Sequence, residues 1–257
     1  MTPTEQHAVR VSPGMKATCS LPVLRLVLVL TVGLCPSLSA QNDAGMWASY
    51  SLSAPVTKRF ELAASPELRL DENLSRVQSA FVDLSAQRQL NKYFFVTGDY
   101  RVGSRNRDQV AVFRQRFSLG LGLKYTPGDF RLAWLCRMQS SQSAGRSESD
   151  PDFATTLRNK FSLKFNGLKK TDLSTSFEFF NQAGAYGDLR LTDWRWQCAL
   201  ERRVFNKRNS VSLGYLIQRN LQDRVMGLDF VVLVGYRFET NVLKKKKAGT
   251  EAAPAGQ

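Results

Sequence analysis

Histidine is almost missing from this chain: its 257 residues contain one, His7. Cysteine is scarce, with four. No apolar run approaches the roughly 20 residues that a membrane-spanning helix needs; the longest, over 26–34, stops at Cys35-Pro36. Acidic residues are outnumbered, 22 against 36 Lys and Arg, for a net charge of +14. Each shortage removes a class of function. Beyond position 7 there is no imidazole, so a Ser–His or Cys–His nucleophile cannot be assembled. Cys136 and Cys198 stand far apart with no CxxC motif, so zinc of the His or Cys cluster types is excluded. There is no P-loop or GxGxxG. With 43% apolar and 23% charged residues, neither a disordered chain nor a bundle of membrane helices fits.

What is present begins with an export signal. Met15, Lys16 and Arg25 supply positive charge, 26–34 an apolar stretch, Pro36 a break and Ala40 a small residue before a cleavage point. Residues 1–40 are therefore expected to be a signal peptide, with 1–14 a polar extension upstream of a second credible start. Its removal takes Arg10, Lys16, Arg25 and Glu5, which leaves a net charge of +12, and it also removes His7, Cys19 and Cys35.

From residue 41 the dominant pattern has period two. Phe117, Leu119, Leu121, Leu123 and Tyr125 alternate with Ser118, Gly120, Gly122 and Lys124. The same alternation runs through 130–138, 157–165 and 226–238. Strict alternation means extended strands with one apolar and one polar face. Eleven such segments can be marked: 46–54, 58–70, 76–87, 92–103, 111–126, 129–139, 153–166, 171–182, 188–205, 209–220 and 224–239. Short connections alternate with longer polar ones, the longest being 139–152. Phe60, Tyr93, Phe95, Tyr125, Phe130, Phe165, Phe205 and Phe238 lie beside the short turns, as an interfacial aromatic belt would.

The fold expected is all-β: a single antiparallel transmembrane β-barrel of 10–12 strands over 41–239, after a cleaved signal peptide and ahead of a disordered basic tail, 240–257, with its lysine run at 244–247. Because single-chain bacterial barrels normally have even strand numbers, eleven suggests a missed or merged strand, or that 46–54 is not a regular wall strand. A soluble exported β-sandwich or barrel remains the alternative. Cys136 and Cys198 alternate with the apolar rows and are expected to face lipid unpaired. Gly120 and Gly122 read as small lumen-facing residues, with Gly122→Ser a mild change.

The polar face carries the chemistry. Its basic residues segregate: Arg114, Arg116, Lys124, Arg131, Arg137, Arg158, Lys160 and Lys164 fall on three consecutive segments that carry no lumen acid. Arg69, Arg101, Arg195, Arg203 and Arg237 belong to other walls. The acids Glu61, Glu67, Asp83, Asp99, Glu178, Glu201, Asp229 and Glu239 lie there too, with Glu67, Asp83, Asp99 and Glu178 the chief partners expected across the lumen. Two outcomes are open: a closed ion-pair network, or a passage that contacts small anions. Loop acids such as Asp71-Glu72 and Asp150/Asp152 read as solvated charges, with calcium the alternative.

The order of Gly45-Met46-Trp47, Pro66-Glu67-Leu68-Arg69, Leu90-Asn91-Lys92-Tyr93, Gly98-Asp99-Tyr100-Arg101, Arg105-Asn106-Arg107, Phe113-Arg114-Gln115-Arg116-Phe117 and Phe177-Glu178-Phe179-Phe180 resembles a family of Gram-negative outer-membrane β-barrels, domain of unknown function 2490. The resemblance covers about 43–239. It implies a fold and an outer-membrane location but no biochemical activity. The tail after Phe238 departs from barrels that end on a terminal aromatic residue. The expectation is a non-enzymatic barrel, structural or a narrow anion-preferring passage. It needs no cofactor or metal, and a His-dependent lipid hydrolase is disfavoured. Outer-membrane lipid, the barrel assembly machinery and small anions are its expected partners; nucleic acid is not. The alternative is a surface-interaction protein acting through its extracellular loops.

Overall fold

The computed structural model describes residues 44–107, 110–144, 154–183, 188–221 and 227–240. The signal segment, most of the 139–152 loop and the lysine-rich tail lie outside the described residues. The wall consists of β1 (Ala44–Thr57), β2 (Phe60–Asp71), β3 (Arg76–Gln89), β4 (Phe94–Arg107), β5 (Val110–Tyr125), β6 (Phe130–Ala144), β7 (Ala154–Leu168), β8 (Thr171–Ala183), β9 (Leu189–Val204), β10 (Asn209–Asn220) and β11 (Asp229–Glu239). Consecutive strands pair antiparallel, and β1 closes the ring against β11.

The strand number is eleven among the described residues, not ten or twelve, and no strand was merged. The odd count closes because β1 and β11 pair in parallel, from Ala44 opposite Phe230 to Ser53 opposite Glu239. The first segment is thus a regular wall strand, bonded on both sides. It starts at the rim with the longer loops and ends at the short-turn rim, where β11 also ends. β6 runs on to Ala144, beyond the 139 expected, because Ser140–Ala144 stays paired with β5. Both faces are polar there, so hydropathy carries no alternation to read.

Which face points where decides the class of barrel. Phe117, Leu119 and Leu121 are 53, 55 and 49% exposed, while Ser118 between them is 1% exposed. Leu84, Leu132, Phe161, Leu200, Leu213 and Val232 are exposed on other strands in the same way. Apolar rows turned outward around a closed ring are the reverse of a soluble barrel, which buries them. Their area would be aggregation-prone in water and suits a hydrocarbon surround. The soluble sandwich or barrel is thereby set aside. Cys136 and Cys198 are free, in the outward rows; Cys198 Sγ lies 3.3 Å from Thr175 Oγ1.

The short turns have local causes. Asn91 Oδ1 accepts from the amides of Tyr93 and Phe94, and Asn206 Oδ1 from those of Arg208 and Asn209, the side-chain-to-backbone bonding that favours asparagine in turns. Lys170 and Phe205 take positive φ there. Tyr93 and Tyr125, and Phe130 and Phe165, form ring pairs on this rim, and Phe205 stands fully out from it.

One member of the expected belt is elsewhere. Phe95 is buried in the lumen, and its neighbour Phe94 is the outward ring. The Phe95 ring lies against Gly122 so closely that a Cβ there would overlap it. Gly122 is lumen-facing, as expected, but it is not a tolerant position.

Candidate functional site: a guanidinium–aromatic layer across the lumen

All eight residues of the basic wall project from the lumen side of β5, β6 and β7, since each alternates with an outward apolar residue on its strand. They do not meet the acids as one wall facing another. Glu67 pairs with Arg69 of its own strand at 2.6 Å, and Asp83 with Arg101 of the next strand through two hydrogen bonds of 2.6 and 2.5 Å. Those two acids therefore neutralise their own side of the barrel. Of the four acids expected as chief partners, Asp99 and Glu178 are the two that pair with the basic wall. Arg137 approaches Asp99 at 3.4 Å, and Glu178 takes Arg158 at 2.6 Å and Lys160 at 2.9 Å.

Three aromatic rings join these pairs, and the sequence pattern alone had not placed them in the lumen. Arg101 sits over Phe81 at 3.5 Å from the ring centre, and Arg69 over the same ring at 4.8 Å. Arg69 also stacks on Trp47 at 3.6 Å. Arg195 lies between Trp47 and Phe180, at 5.6 and 4.6 Å, and Arg158 is 5.1 Å from Phe180. The series Asp83, Arg101, Phe81, Arg69, Trp47, Arg195, Phe180, Arg158, Glu178 thus runs through seven of the eleven walls and across the β1–β11 seam. Phe81 reaches into it over Gly103, where a Cβ would collide with the β3 backbone. Trp47, Phe81 and Phe180 share the parity of lumen residues on their strands, which is the signal that could have found them.

Some cations of the layer make no ion pair among the described residues. Arg114 donates to Ser141 Oγ at 3.1 Å. Arg116 makes no ion pair among the described residues, and its buried Nε lacks an acceptor. The Nε of Arg195 is likewise buried without an acceptor, as is Nε2 of Gln139. Arg69, Arg101 and Arg158 all lie within electrostatic range of Arg116, with Asp83 the acid among its main neighbours.

A second network lies nearer the short-turn rim. Lys164 reaches Asp172 at 3.0 Å and Glu201 at 2.9 Å, Arg203 approaches Asp172, and Arg237 approaches Glu201, which also accepts from Ser210. Asp172 was absent from the expected lumen acids, although it has the parity of Glu178. Lys124 donates to Gln89 Oε1 at 2.5 Å, and Arg131 makes no ion pair among the described residues. Asp229 accepts from Gln218 at the opposite rim. Glu61 and Glu239 face the lumen near the short turns and make no ion pair among the described residues.

Outward-apolar walls around a charged, cross-linked lumen define a lipid-embedded β-barrel. The chain belongs to the family described as a protein of unknown function, DUF2490, whose model matches residues 44–225 and so spans β1 to β10. A comparison with curated proteins gives no match. Among solved structures, a loop-deletion mutant of OmpT, an outer-membrane protein of Vibrio cholerae, aligns at 11% identity over 71% of this chain and 86% of that one, with a TM-score of 0.37. An anion-selective porin from Comamonas acidovorans aligns at 14% identity over 73% and 58% of the two chains, TM-score 0.36. A bacterial polysaccharide outer membrane secretin aligns at 9% identity over 70% and 73%, TM-score 0.34.

Proposed function

We propose that this chain is a non-enzymatic barrel of the outer membrane whose lumen is a narrow, anion-preferring passage. One observation carries the reading: Arg114, Arg116 and Arg195 face the lumen and make no ion pair with a carboxylate among the described residues, although Glu178 stands opposite Arg195 in the β8–β9 register. Fixed positive charge in a low-dielectric constriction attracts anions and repels cations. The outer-membrane location is supported by the outward-apolar ring and by the sequence pattern of residues 15–40, which is that expected of an export signal. The absence of catalysis is supported by the sequence, which carries no histidine after His7 and so lacks the usual neutral-pH proton shuttle.

The ring-and-guanidinium series favours a second reading, a constriction that is chiefly structural. Arg137–Asp99 ties β6 to β4 and Arg158–Glu178 ties β7 to β8, while Trp47 of β1 meets Arg195 of β9, contacts that brace the wall from inside. The two readings separate in planar bilayers. The passage gives a small conductance whose reversal potential under a KCl gradient follows chloride, with selectivity falling as salt screens the lumen charge. A silent barrel favours the structural reading, and a reversal potential that follows potassium overturns the anion preference.

A further inference from the structure

The unpaired cations are not scattered. Arg116 comes from β5 and Arg195 from β9, and Arg69 and Arg158 lie within electrostatic range of both, with Asp83 the acid near Arg116 and Glu178 and Asp193 the acids near Arg195. Arg105 and Arg114 continue the series from Arg101 toward the long-loop rim, because β4 runs outward past Arg101 and β5 enters past Arg114. A line of guanidinium groups therefore leads from that rim to the centre of the layer.

Among the guanidinium groups that meet rings, Arg69, Arg101 and Arg158 spend donors on Glu67, Asp83 and Glu178, whereas Arg195 makes no ion pair among the described residues. A guanidinium lying face-on against an aromatic ring uses its π face and keeps its N–H donors in the plane. The guanidinium carbon of Arg195 lies 5.6 Å from the Trp47 ring centre and 4.6 Å from that of Phe180. At Arg195 rings do the positioning that carboxylates do for Arg69, Arg101 and Arg158. Four N–H donors in or beside the layer, on Arg116, Arg137, Gln139 and Arg195, are buried with no hydrogen-bond acceptor; Arg137 alone of these has a carboxylate at ion-pair distance, Asp99 at 3.4 Å. Buried donors are rarely left so, and among like charges the favoured acceptor is an anion rather than a neutral one.

From this we propose a saturable site for a soluble phosphate-type dianion, entered from the long-loop rim and held by the free N–H edges of Arg116 and Arg195. Guanidinium forks match phosphoryl oxygens, and forks from two separate walls suit a tetrahedral group, which offers oxygens in several directions. Chloride offers one charge and no such geometry. Phosphate on a membrane lipid is shut out by the closed wall. The site rests on the anion-preferring lumen proposed above and adds a ligand class to it.

The test is isothermal titration of the detergent-purified barrel with sodium pyrophosphate, inorganic phosphate and chloride at constant ionic strength. Expected are one-to-one saturable binding of pyrophosphate, weaker binding of phosphate, and none of chloride. Arg116→Gln and Arg195→Gln should each weaken pyrophosphate binding at least tenfold, while Arg190→Gln, on the rim, leaves it unchanged. Arg116→Gln should also melt at a higher temperature than the wild type without anion, since it removes an unpaired buried cation; a pillar of the network would melt lower. Trp47 is the lumen-facing tryptophan, so its emission gives a readout in the unmutated barrel: a saturable change with pyrophosphate, abolished in Trp47→Phe. No saturable binding, binding indifferent to both substitutions, or a lower melting temperature for Arg116→Gln overturns the site. If anion selectivity persists in bilayers without pyrophosphate binding, the site fails and the passage stands. Binding in a cation-selective barrel gives the reverse.

Discussion

Trp47 and Arg69 are register partners across β1 and β2, and the guanidinium carbon stands 3.6 Å above the indole centre. The same indole is one of the two rings that Arg195 meets, so Trp47 joins the charged groups of β2 to those of β9. Trp47→Ala removes two cation–π contacts and leaves a gap at the seam. It should cost about 2–3 kcal/mol, below a fully packed tryptophan deletion because the side chain is half-buried. Trp47→Phe, which keeps a ring, should cost less than about 1 kcal/mol. Urea titration of the detergent-folded barrel measures both, and Trp47→Ala should also raise the single-channel conductance. A conductance unchanged by Trp47→Ala would mean that the layer is not the constriction.

Adjacent residues on β5 should both be sensitive, for different reasons. Leu121→Arg puts a charge on the lipid face, which costs about 2–4 kcal/mol near the midplane, and should hinder assembly into the heat-modifiable form. Gly122→Ser faces the lumen and would be harmless in a roomy barrel. Here the added Cβ meets the Phe95 ring, so the cost should be about 1–3 kcal/mol, typical of overpacking. Phe95→Leu in the same chain should recover most of it. Gly122→Ser without effect on the urea midpoint would contradict the placement of Phe95.

The strand faces were legible because one rule, alternation, assigns every residue on a wall once one is known. Leu119 and Ser118 fix β5, and Arg114, Arg116 and Lys124 follow by parity. Ion-pair partners were not legible in that way. Arg137 meets Asp99 only through the combined registers of β4, β5 and β6, which no local pattern encodes, whereas Glu67–Arg69 needs only two positions on one strand. Phe94-Phe95 is ambiguous to a hydropathy reading, since either ring could take the lipid face. In β1 the small outward Ala48 and the inward Trp47 invert the usual contrast in size, and this hid the lumen ring that joins the layer.

Glu178 is the acid with most to lose. It is 4% exposed and takes both Arg158 and Lys160. Glu178→Gln removes the charge and leaves two half-buried cations without their carboxylate, which should cost less than the about 3–5 kcal/mol of breaking a fully buried pair. The midpoint of urea unfolding should fall accordingly, and Arg158→Gln added to Glu178→Gln should restore part of the loss. With one negative charge fewer in the lumen, a Glu178→Gln barrel that does assemble should be more anion-selective than the wild type. Lower anion selectivity would mean that Glu178 does not face the ion path.

The parallel seam is the least ordinary feature of the ring, and it makes a sharp claim about β1. Parallel pairing is slightly weaker per residue than antiparallel, and β2 runs antiparallel to β11, so a ten-stranded ring closed by β2 and β11 is the competing arrangement. The seam places Tyr50 opposite Tyr236, with their rings stacked 5.6 Å apart on the outward face. Tyr50→Cys combined with Tyr236→Cys, in a background where Cys136 and Cys198 are alanine, should form a disulfide on mild oxidation of the folded barrel. The control pair Ala64→Cys with Tyr236→Cys should not, because β1 lies between those strands. Cross-linking of the control pair but not the seam pair would place β1 outside the wall. It would also remove Trp47 from the layer that depends on it.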